Sequence, residues 1–518
     1  AQAPNASEAY FRLAWIANKQ GQVLSARKNL KKAYDLAPDN KEYVIGLSQL
    51  YIKTSKFDDA LNCYHHYLKH NDTQDDMYFN YACLLIQVKQ ANEAIAVFNK
   101  CLELNPKQLN YYMKLGELLY NLLRYPEALE VYYQALEQGL VSEGLFLNIA
   151  KMHVDAGESE KAQSILKQAG SVFPDSLVFA YRLSSMDKQS LNKELLTQLE
   201  STESQSLSEE NQFYYYWLKA LFAFQSEELR SELDYLLKAH SIYQKLGHFA
   251  ENTDAYMTRL KNLSVASEHI NNTNPSPISE SLSPVFIIGI PRCGSTLIEN
   301  IICAGPDQII KGEEPCTLFH ALKRVTAEGT INWDAFKQVT SAIYQQHKIS
   351  SDDQLFTDKS LENAFFIDTI LALYPKAKII YCDRAPLASI ISILKNNMAV
   401  LPWAHDLDAI FNYVDHCLSA IDKAIKKYPD SILSINYESL VTAPETESQK
   451  IMSFCELTWD KDCLAFHKKQ GIVSKTASHL QIRRAINQDS RDVYKRYKSF
   501  FIEYEARYPW LKSEYKGY

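Results

Sequence analysis

Along the first 175 residues, apolar and polar positions repeat with a period of 34, without insertion, through five copies. Small residues return at Ala14, Ser48, Ala82, Gly116 and Ala150, and a second small series runs through Ala26, Ala60, Ala94, Ala128 and Ala162. These are places where two helices of a hairpin come close. Bulky residues stand beside them at Leu13, Leu47, Tyr81, Leu115 and Ile149, and again at Leu30, Tyr64, Phe98, Tyr132 and Leu166. Pro38, Pro106 and Pro174 stop the second helix of their copies. A hairpin with one apolar face cannot bury it alone, so the pattern predicts hairpins stacked into an α-helical solenoid.

From about 177 to 263 the pattern loosens but stays helical. Asn211 to Lys245, with Tyr216, Ala220 and Ala239 near the repeat positions, reads either as a degenerate further hairpin or as a capping pair. Residues 264–283, centred on Asn271-Asn272-Thr273-Asn274-Pro275-Ser276-Pro277, read as a linker. After residue 284 apolar runs alternate with helical stretches, which predicts a parallel α/β sheet with strands at 285–290, 354–357, 378–382 and 432–436. The expected divisions are thus 1–175, 176–263, 264–283 and 284–518. Ligands of such sheets bind at the carboxyl ends of the strands.

The first of those ends carries the strongest chemical signal. Val285-Phe-Ile-Ile-Gly-Ile-Pro-Arg-Cys-Gly-Ser-Thr296 is a buried strand running into a phosphate-binding turn. It keeps the glycine frame and the closing threonine of G-x-x-x-x-G-K-[ST], but Ser295 stands in place of the lysine. That lysine reaches the β and γ phosphates of a nucleoside triphosphate, so its absence weighs against a kinase or ATPase. Arg292 offers a planar cationic fork instead, and the helix N-terminus adds unpaired N–H groups. A second signal is Lys378-Ile-Ile-Tyr-Cys-Asp-Arg-Ala-Pro-Leu-Ala-Ser-Ile-Ile-Ser392, which places Arg384 just beyond a strand and Ser392 about two helical turns later.

The 34-residue pattern resembles the tetratricopeptide repeat. The two phosphate motifs, in this order, resemble the sulfotransferases that use 3'-phosphoadenosine 5'-phosphosulfate (PAPS). The combination looks like the bacterial repeat-containing sulfotransferases, whose catalytic half is similar to protein-tyrosine sulfotransferases. The implied architecture is a tetratricopeptide solenoid followed by an α/β, P-loop-like sulfotransferase domain with a parallel sheet. The resemblance assigns Pro291, Arg292, Cys293, Gly294, Ser295 and Thr296 to the 5'-phosphosulfate. It assigns Arg384 and Ser392 to the 3'-phosphate, and brings Tyr437 near the nucleotide. Lys311-Gly312-Glu313-Glu314 matches a Gly-Glu segment that holds the base, with Glu313 preferred over Glu314. Thr357-Asp358-Lys359 matches a pair whose lysine faces the transferring group. Ser478, Gln481 and Arg483 match a loop that closes over the cofactor. Cys293 and Ala385 depart from the family's usual Ser and Asp without removing a required charge.

These residue types suit sulfuryl transfer, which needs a base for the acceptor proton and cations for the leaving oxygen. Glu313, Lys359 and Arg292 are the expected catalytic residues, with adenosine 3',5'-bisphosphate as the product of the donor. No metal-ligand cluster is visible, and the mechanism requires none. The acceptor implied by the resemblance is a peptide or protein tyrosine held by the repeats. A glycan or small-molecule hydroxyl is the alternative, and an inactive peptide-binding scaffold is the reading of another class.

Composition narrows the setting. At 518 residues more than one core is expected, and 46% hydrophobic with 23% charged residues fits a folded chain. A net charge of −7 argues against a general nucleic-acid binder. Ten scattered cysteines without a CxxC pair fit a reducing, cytoplasmic location, in which the sequon at Asn271 goes unused. No apolar run reaches the length of a membrane span. Ala1-Gln-Ala-Pro-Asn5 carries no signal peptide, and the missing initiator Met leaves open whether a leader or anchor precedes it. The sequence leaves the oligomeric state open.

Overall fold

The computed structural model describes residues 6–513 apart from 55, 89, 123, 248, 250, 273–274, 281, 328–329, 347–348, 350–354, 469–483 and 490. The chain divides into two compact units, Ala1–Val154 with Glu158–Phe173, and Asp155–Gly157 with Pro174–Tyr518.

In the first unit the periodic pattern becomes five antiparallel pairs. These are α1 (Ala6–Lys19) with α2 (Val23–Leu36), α3 (Lys41–Lys53) with α4 (Phe57–His70), α5 (Asp75–Gln87) with α6 (Ala91–Leu104), α7 (Leu109–Asn121) with α8 (Tyr125–Glu137), and α9 (Glu143–Asp155) with α10 (Ser159–Val172). Pro38, Pro106 and Pro174 each follow the end of a second helix. The alanines at 26, 60, 94, 128 and 162 are wholly buried, because any larger side chain would push the paired helices apart. Gly116 is tighter still: a Cβ there would come within 2.3 Å of the Tyr132 ring. Leu47, Tyr81, Leu115 and Ile149 are buried by their preceding hairpins, whereas Leu13, at the same repeat position, is 51% exposed. Among the described residues no hairpin precedes α1 to pack on that face.

The second unit opens with α11 (Leu177–Met186), α12 (Lys193–Ser201), α13 (Glu209–Gln225), α14 (Leu229–Leu246) and α15 (Thr253–Glu268). Of these, α14 and α15 share the core of the sheet, since Leu233, Tyr256, Leu260 and Leu263 lie in one apolar cluster with Phe286, Ile288 and Ile379, whereas α11, α12 and α13 bury their apolar residues in separate clusters. The linker expected from residue 264 therefore begins inside a packed helix. Ser267 is 1% exposed and its hydroxyl lies 2.7 Å from that of Thr369. Its sequence is polar enough to read as a linker, but those polar groups pair with the neighbouring domain instead of with water.

The main sheet is wholly parallel, in the order β4-β1-β5-β6, built from β1 (Val285–Ile288), β4 (Thr357–Asp358), β5 (Lys378–Asp383) and β6 (Ile432–Asn436). The short strands β2 (Thr326–Ala327) and β3 (Thr330–Ile331) form a separate antiparallel ribbon. Strand ends move from the sequence expectation by one to three residues, most at the first two strands. Around the sheet lie α16 (Ser295–Ala304), α17 (Thr317–Val325), α18 (Trp333–Gln346), α19 (Ile367–Leu373), α20 (Pro386–Leu394), α21 (Leu407–Lys427), α22 (Tyr437–Thr442), α23 (Pro444–Phe454) and α24 (Trp510–Ser513). Alternate residues of β1 face opposite layers: Phe286 and Ile288 join the cluster of α20 and α21, while Val285 and Ile287 join that of α16 and α23. All four are buried, which is why the strand reads as a continuous apolar run.

Candidate active site

The turn after β1 is tight enough to dictate its residues. Gly289 has φ +156°, and a Cβ there would meet Cys293 Sγ at 2.7 Å and the Cys382 carbonyl at 2.9 Å. Gly294 has φ +106°, and a Cβ would strike the Tyr437 ring at 2.5 Å. Arg292 itself takes φ +72°, a left-handed conformation that costs a non-glycine residue about 1 kcal/mol or more. Ser295 then starts α16, whose first-turn N–H groups have no intrahelical acceptors and point back at the turn.

Three strand ends meet here. Arg292 Nε donates to Ser392 Oγ at 3.2 Å, joining the β1 turn to α20. Arg384, just beyond β5, donates from Nη1 to the Arg292 carbonyl at 2.6 Å and lies 4.4 Å over the Tyr437 ring, which follows β6. Burial, with Arg384 alongside, pushes the Arg292 guanidinium down to about 10. Two guanidiniums held this close concentrate positive charge in a largely buried turn.

Beside this cradle lies a charged cluster contributed by α16, β4 and the segment between them. Lys359 is 1% exposed, and its Nζ donates to Glu314 Oε1 at 2.8 Å. Gly312 admits the close pass to β4, since a Cβ would fall 1.9 Å from the Thr357 carbonyl oxygen. Glu313, at φ +57°, turns its side chain toward Lys311, with Nζ to Oε1 at 3.7 Å. Behind Lys359 sits Glu299, fully buried on α16. Asp358 faces away from this group: it accepts from Tyr344 OH at 3.0 Å, Ser360 N at 3.0 Å, Ser360 Oγ at 2.7 Å and Asn363 Nδ2 at 2.8 Å, and so anchors the turn that presents Lys359.

The structure thus gathers Arg292, Gly294, Ser295, Arg384, Ser392 and Tyr437 around one turn, with Lys359 and both glutamates in the neighbouring cluster. Pro291 and Thr296 are buried in its walls. Cys293, expected in the cofactor-binding loop, is 2% exposed: its side chain packs in the apolar layer beneath the turn, and its N–H bonds Ile290 O at 3.0 Å. Ser478, Gln481 and Arg483 lie outside the described residues. Sequence reasoning missed Glu299. Its signal was available, as an acid beside Asn300 within the apolar residues Leu297, Ile298, Ile301 and Ile302, one turn past the glycine-rich motif.

Residues 284–461 match the sulfotransferase family, and residues 17–80 and 75–108 match the tetratricopeptide repeat. The chain therefore carries tetratricopeptide repeats followed by a sulfotransferase-family domain. It is 28% identical over 239 residues to an uncharacterized protein of Aquifex aeolicus (strain VF5), across 42% of this chain and 31% of that one. It is 24% identical over 218 residues to a putative protein-tyrosine sulfotransferase of Caenorhabditis briggsae, across 39% of this chain and 77% of that one. Protein-tyrosine sulfotransferase 1 of Danio rerio is 24% identical over 233 residues, across 38% of this chain and 60% of that one. The match thus spans less than a third of the length of the first of these relatives.

Proposed function

We propose that the protein transfers a sulfuryl group from PAPS to an acceptor hydroxyl, and that the acceptor is a tyrosine of a peptide or protein. The observation that carries this reading is the ion pair of the buried Lys359 with the partly exposed Glu314 beside a cradle of two guanidiniums. The residues present fit a bisphosphorylated nucleotide: Gly294 lets the Tyr437 ring pack against the turn, where a Cβ would strike it, and Arg292 and Arg384 supply two adjacent cations. PAPS supplies the sulfuryl group when bound, and leaves as adenosine 3',5'-bisphosphate.

The chain's own residues then divide the work. Arg292, Gly294, Ser295 and Thr296 hold the 5' end through the turn and the N-terminus of α16. Arg384 and Ser392 take the 3'-phosphate, with Tyr437 supporting the Arg384 plane. Lys359, with Arg292, offsets the negative charge that grows on the leaving oxygen. As the acceptor oxygen bonds to sulfur and the sulfur–oxygen bond to the 5'-phosphate breaks, a carboxylate takes the acceptor proton. For that role the geometry favours Glu314 over Glu313, the sequence preference. The Glu314 carboxylate touches Lys359 and its side chain is 37% exposed, within reach of an acceptor, whereas Glu313 Oε1 is buried. The repeat solenoid and the names of the relatives support a peptide or protein acceptor.

Calorimetric titration tests the reading. Adenosine 3',5'-bisphosphate is expected to bind in preference to ATP or ADP with Mg²⁺, and Glu314→Gln to keep that binding while losing turnover of tyrosine peptides by about 100-fold or more. Preference for Mg·ATP would overturn the donor assignment. Loss of turnover in Glu313→Gln with activity intact in Glu314→Gln would return the base to Glu313.

A further inference from the structure

Lys359 lies between two carboxylates that differ in every physical respect. Glu314 is on the accessible side, 2.8 Å from Nζ, and its side chain is 37% exposed. Glu299 is on the inner side, with Oε2 at 3.9 Å from Nζ, and both Glu299 and Lys359 side chains are fully buried. Glu299 is also the better fixed. Its Oε1 accepts the Glu313 N–H at 3.0 Å and the Thr357 hydroxyl at 2.8 Å, which leaves Oε2, buried and with no hydrogen bond of its own, facing the ammonium. One carboxylate therefore ties α16, the Gly312–Glu314 segment and β4 to a single point beneath Lys359.

We propose that Glu299 is a positioning residue of the transfer site, a fixed buried carboxylate that keeps Lys359 charged and aimed at the reacting group when Glu314 leaves it to take the acceptor proton. The inference rests on the sulfotransferase reading above. If Glu314 acts as base, its contact with Lys359 must break during the reaction. A buried ammonium left without an anion loses its proton readily. Glu299 cannot follow Glu314, being held by two hydrogen bonds from separate segments, so it remains as the counter-charge.

The surrounding charges agree with this division. Burial pushes the Lys359 amine down, but Glu299, then Glu314 and Glu313, outweigh it and hold the amine above its ordinary value. Burial likewise pushes the Glu299 carboxyl up, opposed by Lys359 and by Lys311. Each member of the pair favours the charged form of the other, although for Glu299 the rise from burial is not cancelled. The other charged groups nearby are already engaged: Lys311 with Asn300 Oδ1 at 3.2 Å, Arg292 with Ser392 at 3.2 Å, and Asp358 with its own turn.

Glu299→Gln is the test, because the amide oxygen can still accept both hydrogen bonds while only the charge is lost. Bisphosphate affinity is expected to change little. Turnover is expected to fall about tenfold or more near pH 8, with a new alkaline limb in the kcat profile below about pH 10 as Lys359 loses its proton early. A merely structural role would lower the melting temperature without moving that limb, and an unmoved limb in a folded variant overturns the inference. Should Glu299→Gln fail to fold, the full-length unmodified protein decides. Activity that holds to about pH 10 supports a Lys359 kept charged, and an alkaline limb below about pH 9 overturns it. If the unmodified protein binds no bisphosphate, both the sulfotransferase reading and this inference fall. If it binds and turns over but the variant's limb is unmoved, only this inference does.

Discussion

Exposed ion pairs within one helical turn occur in both units, but buried charged groups joined across long stretches of sequence gather in the sheet-bearing unit. In the solenoid, ion pairs such as Arg12–Glu8, Lys100–Glu103, Lys114–Glu117 and Lys161–Glu158 join residues within one helical turn, and their partners stand largely in water. In the second unit, Lys359 meets Glu314 across 45 residues of sequence, Tyr497 meets Glu232 across 265, and His240 meets His405 across 165, mostly in buried surroundings. Exposed local pairs contribute little and can be lost singly. Buried pairs gathered from distant segments are costly to break, because the surviving partner is left uncompensated. The solenoid is thus close to a sum of neighbouring hairpins, and the second unit depends on many segments at once.

The same substitution made in both units breaks or sharpens this contrast most. Gly312→Ala places a methyl group 1.9 Å from a backbone oxygen that cannot swing aside, and is expected to abolish turnover and to destabilise the second unit by about 3 kcal/mol. Gly116→Ala meets only the Tyr132 ring at 2.3 Å, a side chain able to rotate, and alanine gains helix propensity. Its expected cost is about 1 kcal/mol or less by denaturant titration. Equal costs at the two sites would remove the distinction.

Acid is expected to act on the second unit through the buried histidines. Burial pushes His240 down to about 4, against the pull of the Leu394 carbonyl, and burial with His240 alongside pushes His405 to about 3. The unfolded chain takes up these protons near pH 6.5, the folded one only near pH 4 or below. Between those values the unfolded state binds more protons, so the stability is complete above pH 6.5 and is lost as pH falls. For His240 the loss amounts to about 3 kcal/mol. His240→Gln is expected to flatten the fall of the denaturant midpoint between pH 6.5 and 4, and an unchanged slope would remove the histidines from the account. The smallest effect is expected at the Arg124–Glu127 pair, with side chains 38% and 51% exposed. Glu127→Gln is expected to leave the melting temperature where it was.

The different legibility of the two units follows from the same contrast. Ala26, Ala60, Ala94, Ala128 and Ala162 announced their packing because each contact recurs at a fixed separation. The turn at Gly289–Thr296 was legible because its steric demands fall within eight consecutive residues. The different positions of Glu313 and Glu314 were not. Adjacent in sequence and identical in type, they are sent to Lys311 and Lys359 only by the left-handed backbone at Glu313 and by the Glu299 carboxylate that holds the Glu313 N–H. The linker failed for a related reason. Polar residues near 264–272 resemble solvent-exposed chain until Thr369 is brought alongside Ser267.

Sequence alone therefore determined what depends on period and on local backbone geometry: the helical hairpins, the buried β1, the phosphate turn and the order of the two domains. Tertiary structure decided what depends on which distant groups share one dry volume. It joined α14 and α15 to the sheet's core, packed Cys293 in the apolar layer beneath the turn, and placed Lys359 between one fixed and one accessible carboxylate. The physical reason is that steric period is written along the chain, whereas the energy of a charge depends on its surroundings, and those are assembled only when separate segments pack.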